Sequence, residues 1–170
     1  MLIRTERPGD YESVYSMVKR AFDRAEHRDG NEQELVNALR NGEAFVPELS
    51  LVAETGGTIA GHILFTRAKV GEHTVLALAP LSVLPAYQRR GIGISLIREG
   101  HKIAGELGYA YSVVLGSPAY YSKAGYLPAG RFGIESPFDV PEENFMACKL
   151  REDAPGVHGR MVYAKEFETG

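Results

Sequence analysis

The sequence predicts an α/β protein with a mixed, mostly antiparallel central sheet and helices on both of its faces. Three observations predict it. Apolar residues recur at helical spacing twice before residue 40 and once more after residue 91. Between residues 49 and 84, strand-like segments are joined by Gly56-Gly57 and by Gly71-Glu72, the pattern of an antiparallel meander. Residues 110–115 form a continuous apolar run of the kind found in a strand covered on both faces. The 170 residues read as one domain, since no linker or repeat divides them and 44% hydrophobic content supplies a core.

The elements follow in order. Leu2-Ile3-Arg4 reads as a short first strand. Asp10 is placed to cap a helix whose apolar stripe is Tyr11, Val14, Tyr15, Val18 and Phe22. After a charged stretch, Asn31 and Glu34 have the spacing of a capping box that opens a second helix, with Leu35, Val36 and Leu39 turned inward. Past Pro47 the period changes from helical to alternating, and strands are expected over 49–54, 58–70 and 73–84. A third helix starts near Ile92. It turns Ile92, Leu96, Ile97, Ile103, Ala104 and Leu107 inward and ends at Gly108. Gly116-Ser117-Pro118 opens a short helix over 119–124 that stops at Gly125, and strands follow around 126–132 and 145–150. The alternating segment 161–167 is a candidate edge strand, able to pair within the chain or between subunits.

The most informative stretch is Leu81-Ser-Val-Leu-Pro-Ala-Tyr-Gln-Arg-Arg-Gly-Ile-Gly-Ile-Ser95. An apolar strand passes through a proline and a Gln88-Arg89-Arg90-Gly91-Ile92-Gly93 turn directly into an amphipathic helix. Free backbone N–H groups at that helix start, two glycines and two adjacent arginines all favour a bulky anion, so the segment reads as a pyrophosphate cradle. It is neither a P-loop, which needs a lysine after its glycines, nor a dinucleotide fingerprint, whose third glycine is Leu96 here.

Other classes of site are excluded or left unsupported. A net charge of −3 argues against nucleic acid as a partner. No apolar run is long enough to span a membrane, and the N-terminal residues carry no signal pattern, so a cytoplasmic protein is expected. The five histidines show no metal-ligand spacing, and no nucleophile elbow occurs. The one cysteine, Cys148, sits in an apolar run and is expected to be a buried structural thiol.

The Q-x-x-G-x-G turn after a strand ending Leu-Ser-Val-Leu-Pro resembles the acetyl-CoA signature of the GNAT superfamily of N-acetyltransferases, and the element order over about residues 1–150 is similar to that family's. Leu78-Ala-Pro-Leu-Ser-Val, Leu115-Gly-Ser-Pro-Ala-Tyr-Tyr-Ser-Lys-Ala-Gly-Tyr and Pro137-Phe-Asp-Val-Pro-Glu-Glu-Asn-Phe-Met resemble its bacterial YhbS-type branch. Residues 151–170 fall outside this resemblance as a C-terminal extension.

The resemblance implies a GNAT-like fold and an acetyl-CoA-dependent enzyme that acetylates a primary amine of a small molecule or peptide in a ternary complex, with no metal. A non-catalytic acyl-CoA-binding module is the alternative. Backbone amides from Arg89 through Arg90, Gly91, Ile92, Gly93 and Ile94 to Ser95, with Gln88, would hold the pyrophosphate. Arg89, Arg90 or Lys123 would meet the 3′-phosphate. Main-chain groups of Leu81, Ser82 and Val83 would face the pantetheine arm, and the N–H of Leu81 or Val83 would polarise the thioester carbonyl. Gly116 would contribute main-chain contacts where many members carry an asparagine.

Tyr121 in Tyr121-Ser-Lys-Ala-Gly125-Tyr matches the family's Y-x-x-x-G-[FY] motif and would protonate the departing sulfur, while Tyr120 is expected to pack inward. The strand before the cradle lacks the carboxylate often used as base. Glu26, Asp29 and Glu32 in one loop, and Glu135, Asp139, Glu142 and Glu143 in another, are the remaining acidic candidates. A monomer or homodimer is expected.

Overall fold

The computed structural model describes residues 1–23 and 30–168. Its centre is a sheet of order β1-β2-β3-β4-β5-β8-β6, formed by β1 (Leu2–Thr5), β2 (Phe45–Thr55), β3 (Thr58–Val70), β4 (His73–Val83), β5 (Tyr111–Leu115), β6 (Leu127–Pro128) and β8 (Phe145–Lys149). Every pairing along that path is antiparallel except β4 with β5. β7 (Ile134–Glu135) and β9 (Gly159–Val162) attach at one end of β3.

Strand alternation sends Leu51, Ala53, Ile63, Phe65, Leu76 and Leu78 to one face, where α3 (Ile92–Glu106) covers them with Ile92, Leu96, Ile97 and Ala104. The opposite face is covered at one end by α1 (Tyr11–Phe22) and α2 (Glu32–Arg40), which bury Val14, Met17, Val18 and Val36 against Val52 and Leu84. At its other end the chain from 129 to 163 covers Val75, Ala77, Val113 and Ala147.

The helices start as their apolar spacing predicts, but two expected caps are used otherwise. The Asp10 carboxylate accepts from Arg4 at 2.7 and 3.0 Å and from the Arg7 N–H at 2.7 Å, so it ties β1 to α1 instead of capping its own helix. Asn31 makes no side-chain cap bond and Glu34 accepts from the Tyr15 hydroxyl, so the capping box does not form.

β2 begins at Phe45, earlier than expected. Pro47 lies in a register shift between Phe45 and Ser50, where its missing N–H interrupts no ladder bond. The strand expected around 126–132 shrinks to β6 because Pro128 and a one-turn helix at Ala129–Phe132 end it. The C-terminal strand is shorter than the alternating pattern and pairs within the chain. Met161 and Val162 lie beside Val70 and Lys69, beyond the last β2 partner on β3, Thr66. The chain then turns toward α2, and the Glu166 carboxylate lies 2.7 Å from where a Gly42 Cβ would stand.

Candidate active site

The site begins with a defect in β4. Opposite the single Leu64 of β3, β4 carries two residues, Ala79 and Pro80, a one-residue bulge between the pairings Phe65–Leu78 and Ile63–Leu81. Beyond the bulge, the Leu84 N–H donates to the Ala60 carbonyl at 2.8 Å, so alternate amides (Leu84, Ser82) face β3. Those of Leu81 and Val83 therefore face away, toward β5. β5 meets β4 only at Leu76–Ser112 and Ala77–Val113. Past that point the two strands part, and both amides open into a cleft of about 670 Å³.

The start of α3 forms one wall. Gly91 is its N-cap at φ 82°, and Arg89 just before it also lies in the left-handed region at φ 65°. The first intrahelical bond runs from the Ser95 N–H to the Gly91 carbonyl at 3.0 Å, and no side chain caps the helix. The amides of Ile92, Gly93 and Ile94 precede that bond and are left for a ligand. The Ser95 amide is spent within the helix. Arg89 and Lys123 place positive charge on the rim, which adds to the helix dipole in favouring an anion.

Leu81, Val83, Gln88, Arg89, Gly91, Ile92, Gly93, Ile94 and Tyr121 are brought together on the cleft; Ser82, Arg90, Ser95 and Gly116 do not line it. The reasons differ. The Ser82 side chain alternates to the opposite sheet face, where it is 2% exposed. The Arg90 guanidinium lies 5.4 Å from the Tyr87 ring centroid. The Gln88 side chain, although on the wall, donates to the Val83 carbonyl at 3.1 Å and so pins the turn to the end of β4.

Two glycines prove to be packing sites for tyrosines. A Cβ on Gly93 would overlap the Tyr120 hydroxyl, and one on Gly116 would come within 2.9 Å of Tyr121 Cδ2. Asn144, at the mouth of β8, holds Gly116 from both sides: its carbonyl accepts from the Gly116 N–H at 2.8 Å, and its Nδ2 donates to the Gly116 carbonyl at 3.1 Å. An asparagine thus does contact this segment, but from a distant part of the chain. Local sequence carries no signal for it.

Tyr121 closes the cleft from the far side. It belongs to the one-turn α4 (Pro118–Tyr121), capped by the Ser117 hydroxyl, which accepts from the Tyr120 N–H. Its ring stands edge-on to Tyr120 (5.0 Å between centroids) and Tyr126 (5.7 Å). Burial, reinforced by Tyr120, pushes its hydroxyl up to about 12, so it is a proton donor throughout the neutral range. Tyr120 packs against the core beneath α3, as expected, and in addition reaches the cleft. It is half-buried and lines the cleft against Gly93.

The acidic candidates among the described residues do not reach the cleft. None of Glu32, Glu135, Asp139, Glu142 or Glu143 lines the cleft, and Glu26 and Asp29 lie outside the described residues. Among the described residues no group of three or more His, Cys, Asp and Glu could hold a metal ion, and no helix is long and apolar enough to cross a membrane. Cys148 is buried, and desolvation pushes its thiol up to about 11, away from nucleophilic use.

Known proteins are similar to this chain in sequence and architecture. The Acetyltransferase (GNAT) family pattern matches residues 11–126. The uncharacterized N-acetyltransferase YjhQ of Escherichia coli K12 is 37% identical over 147 residues, which is 82% of this chain and 81% of YjhQ. The uncharacterized N-acetyltransferase YhbS of the same strain is 33% identical over 98% of both chains, a span that reaches well into the segment after residue 150.

A crystal structure of E. coli YhbS in complex with CoA superposes with a TM-score of 0.88 at 31% identity, covering 98% of this chain and 91% of that one. A GNAT family acetyltransferase from Brucella melitensis in complex with acetyl-CoA gives 0.81 at 33% identity, covering 98% and 97%. With a bulged fourth strand parting from the fifth beside a glycine-capped helix, this chain belongs to the GNAT family of N-acetyltransferases.

Proposed function

We propose that the protein moves the acetyl group of acetyl-CoA to a primary amine on a small molecule or peptide, by direct attack within a ternary complex. The observation that carries this reading is the cleft itself: free amides at the α3 N-terminus on one wall, Leu81 and Val83 amides along its floor, and a protonated Tyr121 opposite. The CoA and acetyl-CoA bound to the two structural relatives support the choice of co-substrate.

In this reading the Ile92–Ile94 amides, the helix dipole, Arg89 and Lys123 bind the phosphates. The Leu81 or Val83 N–H donates to the thioester oxygen, where negative charge grows as the amine attacks. As the C–S bond breaks, the Tyr121 O–H protonates the sulfur, which makes it a better leaving group. The same reading places the protein in the cytoplasm as a monomer or homodimer, with no role for nucleic acid.

The test is release of CoA thiol from acetyl-CoA in the presence of polyamines, aminoglycosides, amino acids and peptide N-termini. Saturable, amine-dependent release supports the enzyme. Tight CoA binding with no release across the panel supports a non-catalytic acyl-CoA-binding module, a reading favoured only by the lack of a carboxylate among the described residues of the cleft wall.

A further inference from the structure

Tyr120 lines the cleft, yet the acetyl-transfer chemistry gives its hydroxyl no task. It stands in α4 one position before Tyr121, and its half-buried ring crosses to the start of α3. A Cβ on Gly93 would overlap the Tyr120 hydroxyl, with Tyr120 Cζ at 3.4 Å and Leu81 Cδ2 at 3.6 Å. The hydroxyl is therefore placed where α3, α4 and the far end of the bulged β4 converge. Edge-on packing against Tyr121 holds the ring there.

Direction decides what this hydroxyl can touch. Along a helix each Cα–Cβ bond leans toward the N-terminus. The unpaired N–H groups of the first turn point the same way. An atom seated at the Cβ position of Gly93 is thus on the side of the helix start that the Ile92, Gly93 and Ile94 amides face. An oxygen that accepts from the Gly93 N–H has the Tyr120 hydroxyl beside it. Among the described residues that hydroxyl has no hydrogen-bond partner, since the bonds of Tyr120 run from its backbone N–H to Ser117. Desolvation raises the phenol above its ordinary value of 10, so it keeps a proton to donate at neutral pH.

We propose that the Tyr120 hydroxyl is a side-chain donor to the diphosphate of the coenzyme, and that Gly93 lacks a side chain in order to seat this hydroxyl. This rests on the acetyl-CoA reading of the cleft. The phenol O–H donates to the diphosphate oxygen held at the Gly93 amide, a bond strengthened by the charge of its acceptor. Two adjacent tyrosines then divide the work. Tyr120 holds the phosphate end of the coenzyme while Tyr121 serves the sulfur end.

Tyr120→Phe keeps the ring and removes only the oxygen. Titration calorimetry on the full chain should show the Kd for CoA raised about 10-fold, the effect of one hydrogen bond to a charged group. The same factor should hold for 3′-dephospho-CoA, which retains the diphosphate. Thiol release from acetyl-pantetheine, which has no phosphate, should fall by less than about twofold with the panel amine of highest kcat/KM. A matching loss with acetyl-pantetheine, or a loss that disappears with 3′-dephospho-CoA, overturns the diphosphate contact.

Gly93→Ala tests the seat. Its methyl group displaces the hydroxyl, so CoA affinity should fall about as far as in Tyr120→Phe. In the double variant the remaining neighbours are at ordinary contact distance, so no further loss should follow. Losses that add to about 100-fold in the double variant would mean that the coenzyme itself needs the space at Gly93, and refute the seat. Equal CoA affinity in wild type and Tyr120→Phe overturns the role of Tyr120 and leaves the acetyl-CoA reading standing. Failure of CoA to bind the wild-type chain removes both.

Discussion

Two glycines in α3 allow a test of how the helix is seated. A Cβ added to Gly100 would lie 2.6 Å from Phe65 Cζ, and Phe65 is fully buried in β3, so neither the ring nor the helix can yield freely. At Gly105, five residues on in the same helix, the nearest atom is the Leu150 carbonyl oxygen at 3.4 Å, an ordinary contact. Replacing either glycine by alanine gains up to about 1 kcal/mol of helix propensity. At Gly100 that gain is set against overpacking of about 3 kcal/mol, taking the upper end because ring carbons on a fixed strand are struck.

Gly100→Ala should therefore lose about 2 kcal/mol, or about 4–8 °C in Tm for a chain of this size. Gly105→Ala should be neutral or stabilised by up to about 1 kcal/mol. Urea unfolding with matched m-values measures both. Because α3 must lift off β3 to admit the new methyl group, Gly100→Ala should also weaken CoA binding by calorimetry, whereas Gly105→Ala should not. If the two variants prove equally stable, or if Gly100→Ala gains stability, close approach of helix to sheet is not what that glycine provides.

Further predictions concern the site. Tyr121→Phe should lower kcat about 100-fold while CoA affinity by titration calorimetry stays within about twofold; unchanged turnover removes the hydroxyl from the chemistry. Arg89→Gly should be more stable by up to about 1 kcal/mol, because φ 65° suits glycine, yet should bind CoA more weakly, with a deficit that narrows at high salt. Equal affinity at low salt would show that Arg89 does not face the phosphates.

Acid should destabilise the fold through His62. Its folded value is held near 4 by burial, below the 6.5 of an exposed imidazole, so stability is full above pH 6.5 and drains away as pH falls toward 4. The loss at pH 5 is about 2 kcal/mol for this residue, and His101, lowered to about 4 by burial, acts in the same direction. His62→Gln should flatten part of that slope in urea unfolding; an identical slope would assign the acid sensitivity elsewhere.

What the sequence determined by itself was whatever depends on neighbours a few residues apart. The helical stripe after Gly91, the hairpin at Gly56-Gly57, the apolar strand at 110–115 and the tyrosine four residues before Gly125 are short-range patterns, and each lies where expected. The anion cradle was legible for the same reason, since free amides follow from a helix beginning at a glycine.

Only the tertiary structure decided which side chains meet across the sheet. Gly93 and Gly116 read as ligand-approach or main-chain sites until Tyr120 and Tyr121 were seen packed on them. His62 read as an ordinary strand histidine, because Glu6, Ser50 and Ser82 lie 56, 12 and 20 positions from it and are brought beside it only by the fold of the sheet. Register, the bulge at Ala79-Pro80 and the parting of β4 from β5 are set by packing of the whole sheet against its helices. That long-range energy leaves no periodic trace in the chain, and so the start of α3 could be read from the sequence while the contacts made across the sheet could not.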